Sequence, residues 1–275
     1  MPSQLYNILV PIDFNARNRW AITKAIELSN SFGCNIHLVH VRSSRDKMFT
    51  RHTGQETAYR KLELLRAEYK QQLCGNGRIE ISVLSGNHSQ QLLQYIQKYE
   101  MDLVITGLSR FNLLHRVASA VSISRLATKS QLPVLAVRSS GLVCHYKKIV
   151  LPVSGEVPIR QIRLAALLGR AFRSTVYFVS LRQHADGENK NLLAQALEVV
   201  QSISTVPVQS FLLEGKNLAQ STLDFSRKIN ADLIMVNPVR DFQLPGLWNR
   251  ITNKLISYAS RIPVVTVASG GNREA

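Results

Sequence analysis

The sequence repeats itself over most of its length. The segment DLVITGLSR at residues 102–110 returns as DLIMVNPVR at residues 232–240, and LPVLAV at 132–137 returns as IPVVTV at 262–267. Both pairs lie 130 residues apart with no gap between them. Solenoid repeats span only about 20–50 residues, so a repeat of this length indicates a duplicated domain.

Each copy is long enough to form its own hydrophobic core. We predict two domains, residues 1–141 and 145–270, joined by a short linker near residues 141–146. The composition, 45% hydrophobic and 19% charged, is typical of globular proteins. The N-terminus lacks a secretory pattern and no segment approaches the ~20 apolar residues of a membrane span. The sequence therefore predicts a cytoplasmic protein without a membrane span.

The cysteines and histidines do not form a metal-ligand pattern. Cys34, Cys74 and Cys144 are widely spaced and no CxxC motif occurs, so neither a disulfide framework nor a zinc site is expected. We expect small buried or half-buried thiols. His37 and His40 are three residues apart on a predicted strand and therefore point to opposite faces, which indicates core or rim histidines rather than a shared metal.

The charge is strongly positive. The chain has 34 Lys and Arg against 18 Asp and Glu, a formal net charge of +16, and the excess is shared by both copies. Such a charge favours polyanionic partners such as nucleic acid, an acidic membrane face or an anionic ligand. The basic residues are scattered, however, and an ordinary solvated basic surface explains them as well.

Hydrophobic periodicity predicts alternating strands and helices. In the first copy, the continuous apolar run Ile8 to Ile12 suits a strand covered on both faces, and apolar residues at helical spacing follow from Asn18 to Phe32, with Gly33 as the C-cap. Further strands are expected at residues 35–41, 78–84, 102–107 and 133–137, and further helices at about 62–73, 89–99 and 119–129.

The second copy follows the same order, with a helix over Asn189 to Ile203. Strands that alternate with helices in this way form a mostly parallel open sheet with right-handed crossovers. The fold class is therefore α/β, with two tandem five-stranded sheets and flanking helices. The closing strands PVLAV and PVVTV would be open apolar edges in isolated copies, and such edges invite pairing. We expect them to pair as an intrachain pseudo-dimer; a further homodimer is also open.

Several of these segments together resemble the universal stress protein family in its tandem form. They are the opening ILVPID strand, the GN or GK turn before the third helix, the DLVITG strand and the closing PVLAV strand, and they cover nearly the whole chain. The resemblance implies a Rossmann-like sheet of five strands. Ligands of such sheets bind beyond the carboxyl ends of the strands.

The resemblance also implies where ATP would bind. ATP-binding members of the family carry G-x2-G-x9-G-[S/T] after the fourth strand, where glycines let the backbone approach phosphates. This chain keeps the spacing of the motif but has other residues at most of its glycine and hydroxyl positions, so the phosphate motif is degenerate. The four places hold Gly107, Arg110, Ala120 and Val121 in the first copy, and Asn237, Arg240, Arg250 and Ile251 in the second.

The residues that the resemblance places around the adenosine part of ATP are partly kept. By resemblance, Asp13 matches the carboxylate that contacts the base or ribose, and Val41 matches a residue whose backbone faces the adenine; Ser154 and Leu181 replace them in the second copy. Weak binding of ATP or another nucleotide in the first domain is therefore open. Asp13 would serve equally as the N-cap of the helix that follows it.

Both copies place an arginine after the fourth strand. Arg110 and Arg240, with Arg250, would form an anion-facing surface because guanidinium groups grip phosphates or carboxylates from the side. Ser119 and Ser122 lie in or next to the same loop in the first copy. The alternative is that these arginines are exposed and pair with local carboxylates.

No sequence pattern indicates catalysis. VSGEVP at residues 153–158 lacks the glycines and the DS of an adenylating loop, and GLSR at 107–110 lacks the second glycine of a nucleophile elbow. We predict a non-catalytic stress-response module that binds an unknown protein partner or a small anionic ligand, with no cofactor. The alternatives are a nucleotide-responsive sensor and a basic stress protein associated with nucleic acid.

Overall fold

A computed structural model of the chain describes residues 4–42, 51–108, 123–138, 145–182, 187–237 and 262–268. The chain divides into two compact units, residues 2–142 and 143–275, called here the first and second unit. Among the described residues, no helix has both the length and the hydropathy needed to cross a bilayer.

The first unit is a parallel sheet covered by helices. Its strands lie in the order β3-β2-β1-β4-β5 and all pair in parallel, which confirms the predicted α/β class. Its elements are β1 (Asn7–Pro11), α1 (Arg17–Phe32), β2 (Asn35–Arg42), α2 (Arg51–Lys70), β3 (Ile79–Ser85), α3 (His88–Lys98), β4 (Leu103–Gly107), α4 (Ile123–Ser130) and β5 (Val134–Val137).

The second unit repeats this arrangement. Its strands lie in the order β8-β7-β6-β9-β10, again all parallel. Its elements are β6 (Lys148–Pro152), α5 (Ile159–Phe172), β7 (Thr175–Leu181), α6 (Gly187–Ile203), β8 (Val208–Leu213), α7 (Leu218–Lys228), β9 (Leu233–Val236) and β10 (Val264–Thr266). The expected pairing of the two units through their closing strands stays a prediction.

The central strands are buried on both faces, as their continuous apolar sequences predicted. Ile8, Leu9 and Val10 of β1 have no exposed surface. In the first unit, Leu9 packs in a cluster with residues of α3 and α4, whereas α1 packs on β1 and β4. Burying a large aliphatic side chain of this kind stabilises the fold by about 1.5–3 kcal/mol.

The predicted limits of α1, α3 and α6 agree with the structure within two residues, whereas α2 begins at Arg51 and ends at Lys70, earlier at both ends than the predicted 62–73. Gly33 ends α1 in the left-handed conformation at φ 70°, as predicted. Asn87 and Asn217 cap the N-termini of α3 and α7, each accepting a backbone N–H of the first turn. Of the helix predicted at residues 119–129, the part before Ile123 lies outside the described residues.

Candidate functional site

The carboxyl ends of β1, β2 and β4 meet at one edge of the first unit's sheet. Asp13 follows β1, Val41 lies near the end of β2, and Gly107 ends β4. The other predicted site residues, Arg110, Ser119, Ser122, Arg240 and Arg250, lie outside the described residues. Among the described residues, Asp13, Val41 and Gly107 mark this edge.

The Asp13 carboxylate is held by Arg17, one turn further along the chain. Both Nε and Nη2 of Arg17 donate to Oδ2, the former at 3.1 Å. Oδ1 accepts the backbone N–H of Asn15 at 3.1 Å. Burial alone would raise the pKa of this carboxyl, but the hydrogen bonds from Arg17 and Asn15 outweigh burial and lower the pKa below its ordinary value of 3.8. Asp13 is therefore ionised and already paired.

Asp13 does not cap the following helix, so that alternative is wrong. Helix α1 has Ala16 at its N-cap, without a side-chain cap. Phe14 lies between, at φ 59°, and turns the chain before the helix begins. Asn18 organises this turn: its Oδ1 accepts the N–H groups of Asp13 and Asn15 at 3.1 Å each, and its Nδ2 donates to Pro11 O at 3.3 Å.

Gly107 is required by packing between β4 and α1. A Cβ at this position would lie 2.1 Å from the carbonyl oxygen of Arg17 and 2.8 Å from its carbonyl carbon. No side chain fits at that distance without moving the helix. The glycine that resembles the start of a phosphate motif thus has a structural reason of its own, because the first turn of α1 occupies the space beside it.

At the end of β2, a backbone contact fixes a histidine. The Val41 side chain is buried in the core, so only its backbone faces the edge of the sheet. His40 Nδ1 donates to Ile12 O at 2.8 Å, because the carbonyl can only accept. Burial is the main reason that the pKa of His40 lies below its ordinary value of 6.5; the bond to Ile12 only partly offsets it. The predicted role of His40 as a rim residue is confirmed.

Phe14 and Lys61 complete this edge, and the sequence analysis did not identify them. The Phe14 ring lies 4.6 Å from the His40 ring, centroid to centroid, and Lys61 Nζ lies 5.4 Å from the Phe14 centroid. Lys61 comes from α2, far along the chain, and no local pattern predicts this contact. Together with Arg17, these groups form a cationic and aromatic rim at this edge of the sheet.

The corresponding edge of the second unit has different chemistry. Ser154 replaces the carboxylate, is exposed, and forms an isolated bridge with Glu156 around Gly155, at φ 73°. Ser180 Oγ donates to Val153 O at 2.8 Å, which ties this loop to β7. Ser154 carries no charge and therefore cannot form the ion pair that Asp13 forms with Arg17 in the first unit.

Metal ligation finds no support in the part of the chain that the structure describes, where no three His, Cys, Asp or Glu side chains gather. His37 lies in the core, as expected, with Nδ1 3.0 Å from the Tyr95 hydroxyl. Cys34 is buried, as predicted, and burial raises the pKa of its thiol to about 12. Cys74 is exposed, so the prediction of a buried or half-buried thiol is wrong there. Cys144 lies outside the described residues.

Comparison with models of protein families assigns the first unit to a known family. A family model described as the universal stress protein family matches residues 6–138. These residues belong to the universal stress protein family. The match spans β1 to β5, and it confirms the resemblance inferred from the ILVPID, DLVITG and PVLAV segments. A comparison with curated proteins finds no significant match.

Solved structures similar to the whole chain share its two-unit fold. A universal stress protein from Archaeoglobus fulgidus DSM 4304 is 11% identical with a TM-score of 0.73, and the match covers 98% of this chain and 99% of that one. A functionally unknown protein from Pseudomonas aeruginosa PAO1 is 15% identical with a TM-score of 0.60, covering 97% and 93%.

The same fold occurs in a different class of protein. The cytoplasmic domain of a prokaryotic cation chloride cotransporter is 12% identical with a TM-score of 0.52, and the match covers 98% of this chain and 97% of that one. At such identities the likeness concerns the fold alone. The function must be argued from the residues of the universal stress protein unit itself.

Proposed function

We propose that this chain is a non-catalytic stress-response binding module whose first unit does not bind ATP in the manner of the family's ATP-binding members. The proposal extends the family assignment of residues 6–138 to a role. Its physiological ligand would be a small anion or a protein partner. The cytoplasmic location, the absence of a cofactor and the anion-facing surface of Arg110, Arg240 and Arg250 stay predictions.

The observation that carries this proposal is the ion pair between Asp13 and Arg17. Both carboxylate oxygens already accept hydrogen bonds, from Arg17 and from the backbone of Asn15. The Asp13 side chain is 43% exposed and Oδ1 keeps an acceptor site, so a ribose or base that bound Asp13 would share the carboxylate with Arg17 or displace Arg17 from Oδ2. Losing a partly exposed ion pair of this kind costs up to about 1 kcal/mol, and that cost weakens the binding of any ligand that displaces Arg17.

A titration of the full chain with ATP and Mg²⁺ by calorimetry tests the proposal. The wild type is expected to give no saturable heat below about 1 mM, equivalent to a binding free energy weaker than about −4.1 kcal/mol. Arg17→Ala frees the carboxylate and is expected to bind more tightly than the wild type. The matched control is Arg19→Ala, since Arg19 pairs with Glu68 on the surface and does not touch Asp13. Micromolar affinity of the wild type, lost in Asp13→Ala, contradicts the proposal.

A nucleotide-responsive sensor is the second candidate. It is favoured by the Phe14 ring and the Lys61 ammonium, which would offer a base a stacking surface and a phosphate a cation beside Asp13. In that case the wild type binds a nucleotide weakly in the same titration. Phe14→Ala and Lys61→Ala would each weaken the binding, and Arg19→Ala would leave it unchanged.

A further inference from the structure

Helix α5 of the second unit presents arginines on its exposed side. Residues 164–169 are all buried, whereas Arg163 and Arg170 on either side of them are exposed. Arg173 follows directly after the helix, is also exposed, and takes the left-handed conformation of its C-cap. We call Arg163, Arg170 and Arg173 the arginine face. It places exposed cationic side chains on a helix whose other side is packed in the core.

The described part of the chain contains no carboxylate paired with the arginine face. Two salt bridges among the described residues of the second unit join Arg182 to Glu214 and Arg227 to Asp224, and neither involves the arginine face. Helix α6, which packs against α5, carries the exposed Glu188 and Glu198, and neither pairs with it. The charge of the arginine face is therefore not neutralised by the described residues.

The first unit contrasts with this arrangement. Three exposed or half-buried arginines of α1 and α2 are paired: Arg19 with Glu68 at 2.7 Å, Arg60 with Glu56 at 2.7 Å, and Arg66 with Glu63 at 2.6 Å. Both units contribute to the net charge of +16, but these cations have local partners. The arginine face differs from these cations because no described carboxylate pairs with it, and an external anionic partner would supply the missing negative charge.

The spacing suits a regular row of phosphates. Arg163 and Arg170 are seven residues apart, which is about 10.5 Å along an α-helix. A duplex carries phosphates at regular intervals on both strands, so guanidinium groups held at this distance on one helix contact different phosphates. Guanidinium groups bind phosphate oxygens in pairs and are less strongly hydrated than ammonium groups. The arginine face therefore fits a helix lying along a duplex backbone.

The neighbouring side chains distinguish the possible partners. Binding to single strands relies on exposed aromatic side chains that stack on bases, and the aromatic residue of α5, Phe172, is buried. A helix that binds a membrane surface inserts a broad apolar face, but the apolar face of α5 is buried within the protein. We infer that the arginine face binds the phosphate backbone of a nucleic-acid duplex without reading its base sequence.

Fluorescence anisotropy with a labelled 30-base-pair DNA duplex tests this inference. The full chain is titrated at several KCl concentrations, and the slope of log Kobs against log[KCl] is measured. Each lost phosphate contact reduces the slope by about 0.9 on B-DNA. The triple variant Arg163→Gln, Arg170→Gln, Arg173→Gln is expected to have a slope smaller by almost 3. Its thermal melt should match that of the wild type, since exposed Gln is a good helix former.

The matched control is Arg19→Gln, Arg60→Gln, Arg66→Gln, which removes the same charge from paired positions. It is expected to keep a slope near that of the wild type. Equal losses in both variants would mean that only diffuse charge matters, and the inference would be wrong. It would be equally wrong if the wild type failed to bind the duplex. Tighter binding to the single strand, or to vesicles with 30% phosphatidylserine, would also overturn it. The inference does not depend on nucleotide binding by the first unit.

Discussion

At the scale of single residues, Gly107 is the position with least room for change. Gly107→Ala would place a methyl group 2.1 Å from the carbonyl oxygen of Arg17, so α1 has to move away from β4. Overpacking of this kind costs about 1–3 kcal/mol. We expect that loss in urea unfolding. Gly187→Ala is the control, since nothing lies within 4 Å of its Cβ position, and it should be neutral or slightly stabilising. Equal stability of the Gly107→Ala variant and the wild type would refute the packing role.

His37 links stability to pH. Burial lowers its pKa below the ordinary value of 6.5, and the nearby Glu80 carboxylate only partly offsets this. The folded state therefore favours neutral His37, and its contribution to stability is complete above pH 6.5. That contribution decreases as the pH falls below 6.5 towards the lowered pKa. Its partner Tyr95 OH also lies 3.1 Å from Ser82 Oγ.

We expect the urea midpoint of the wild type to decrease when the pH is lowered from 7.5 to 5. The urea midpoint of the His37→Gln variant should decrease less over the same range. His40 keeps part of the effect in both proteins, because its pKa is lowered in the same direction. Asp13 affects stability only at lower pH. Its pKa is lowered in the folded state, so its contribution to the stability of the protein is lost as the pH falls below about 3.8. Identical pH profiles of the wild type and His37→Gln would exclude His37 as a source of the effect.

At the scale of elements, an aspartate side chain accepts backbone hydrogen bonds at the start of the first strand of each unit. Asp102 Oδ2, just before β4, accepts the N–H groups of Tyr6 and Asn7 at 2.7 and 3.0 Å. Asp232 Oδ2, just before β9, accepts the N–H of Lys148 at 2.9 Å. The repeated aspartate of DLVITG and DLIMVN therefore ties two neighbouring strands together at their amino ends.

Asp102→Ala is expected to destabilise the protein by about 2–3 kcal/mol, because two backbone donors lose a charged acceptor. Asp232→Ala removes one bond and should cost about half as much. Urea unfolding of both variants measures the difference. A larger loss in Asp232→Ala than in Asp102→Ala would contradict this account.

The two units also differ in the side chains that pack between the second strand, the third strand and the third helix of each unit. In the first unit, His37 of β2, Ser82 of β3 and Tyr95 of α3 form a chain of polar contacts. In the second unit, the same places in the sheet hold Tyr177 and Phe211, whose ring centroids lie 6.3 Å apart and pack near Phe225 of α7. Corresponding elements of the two units therefore have the same backbone arrangement but different side-chain contacts, hydrogen bonds in the first unit and aromatic packing in the second.

At the scale of the whole molecule, the pairing predicted for the closing strands can be tested by separating the copies. Within its own unit β5 is the last strand, so residues 1–142 expressed alone would expose an apolar edge. We expect homodimers or aggregates of this fragment in light scattering. A well-behaved monomer would contradict the predicted pairing. The full chain measured at the same concentration is the control.

The sequence predicted the architecture well because its signals are local. The apolar runs of β1 and β6, the helical spacing in α1 and the turn before Asn87 each depend on neighbouring residues, and the 130-residue repeat applies them twice. The sequence did not predict the partner of Asp13. A carboxylate beside a helix start is compatible with capping, ligand binding or ion pairing, and the positive φ of Phe14 decided the outcome.

By itself, the sequence determined that this chain is a duplicated α/β protein, because periodicity and spacing are properties of contiguous segments. Only the tertiary structure decided that Gly107 fits against the backbone of Arg17 and that Lys61 lies on Phe14. The same holds for the arginine face, which differs from the paired arginines of the first unit only in its neighbours. Such contacts join residues distant in the chain, and their energies depend on burial and distance, which exist only once the chain has folded.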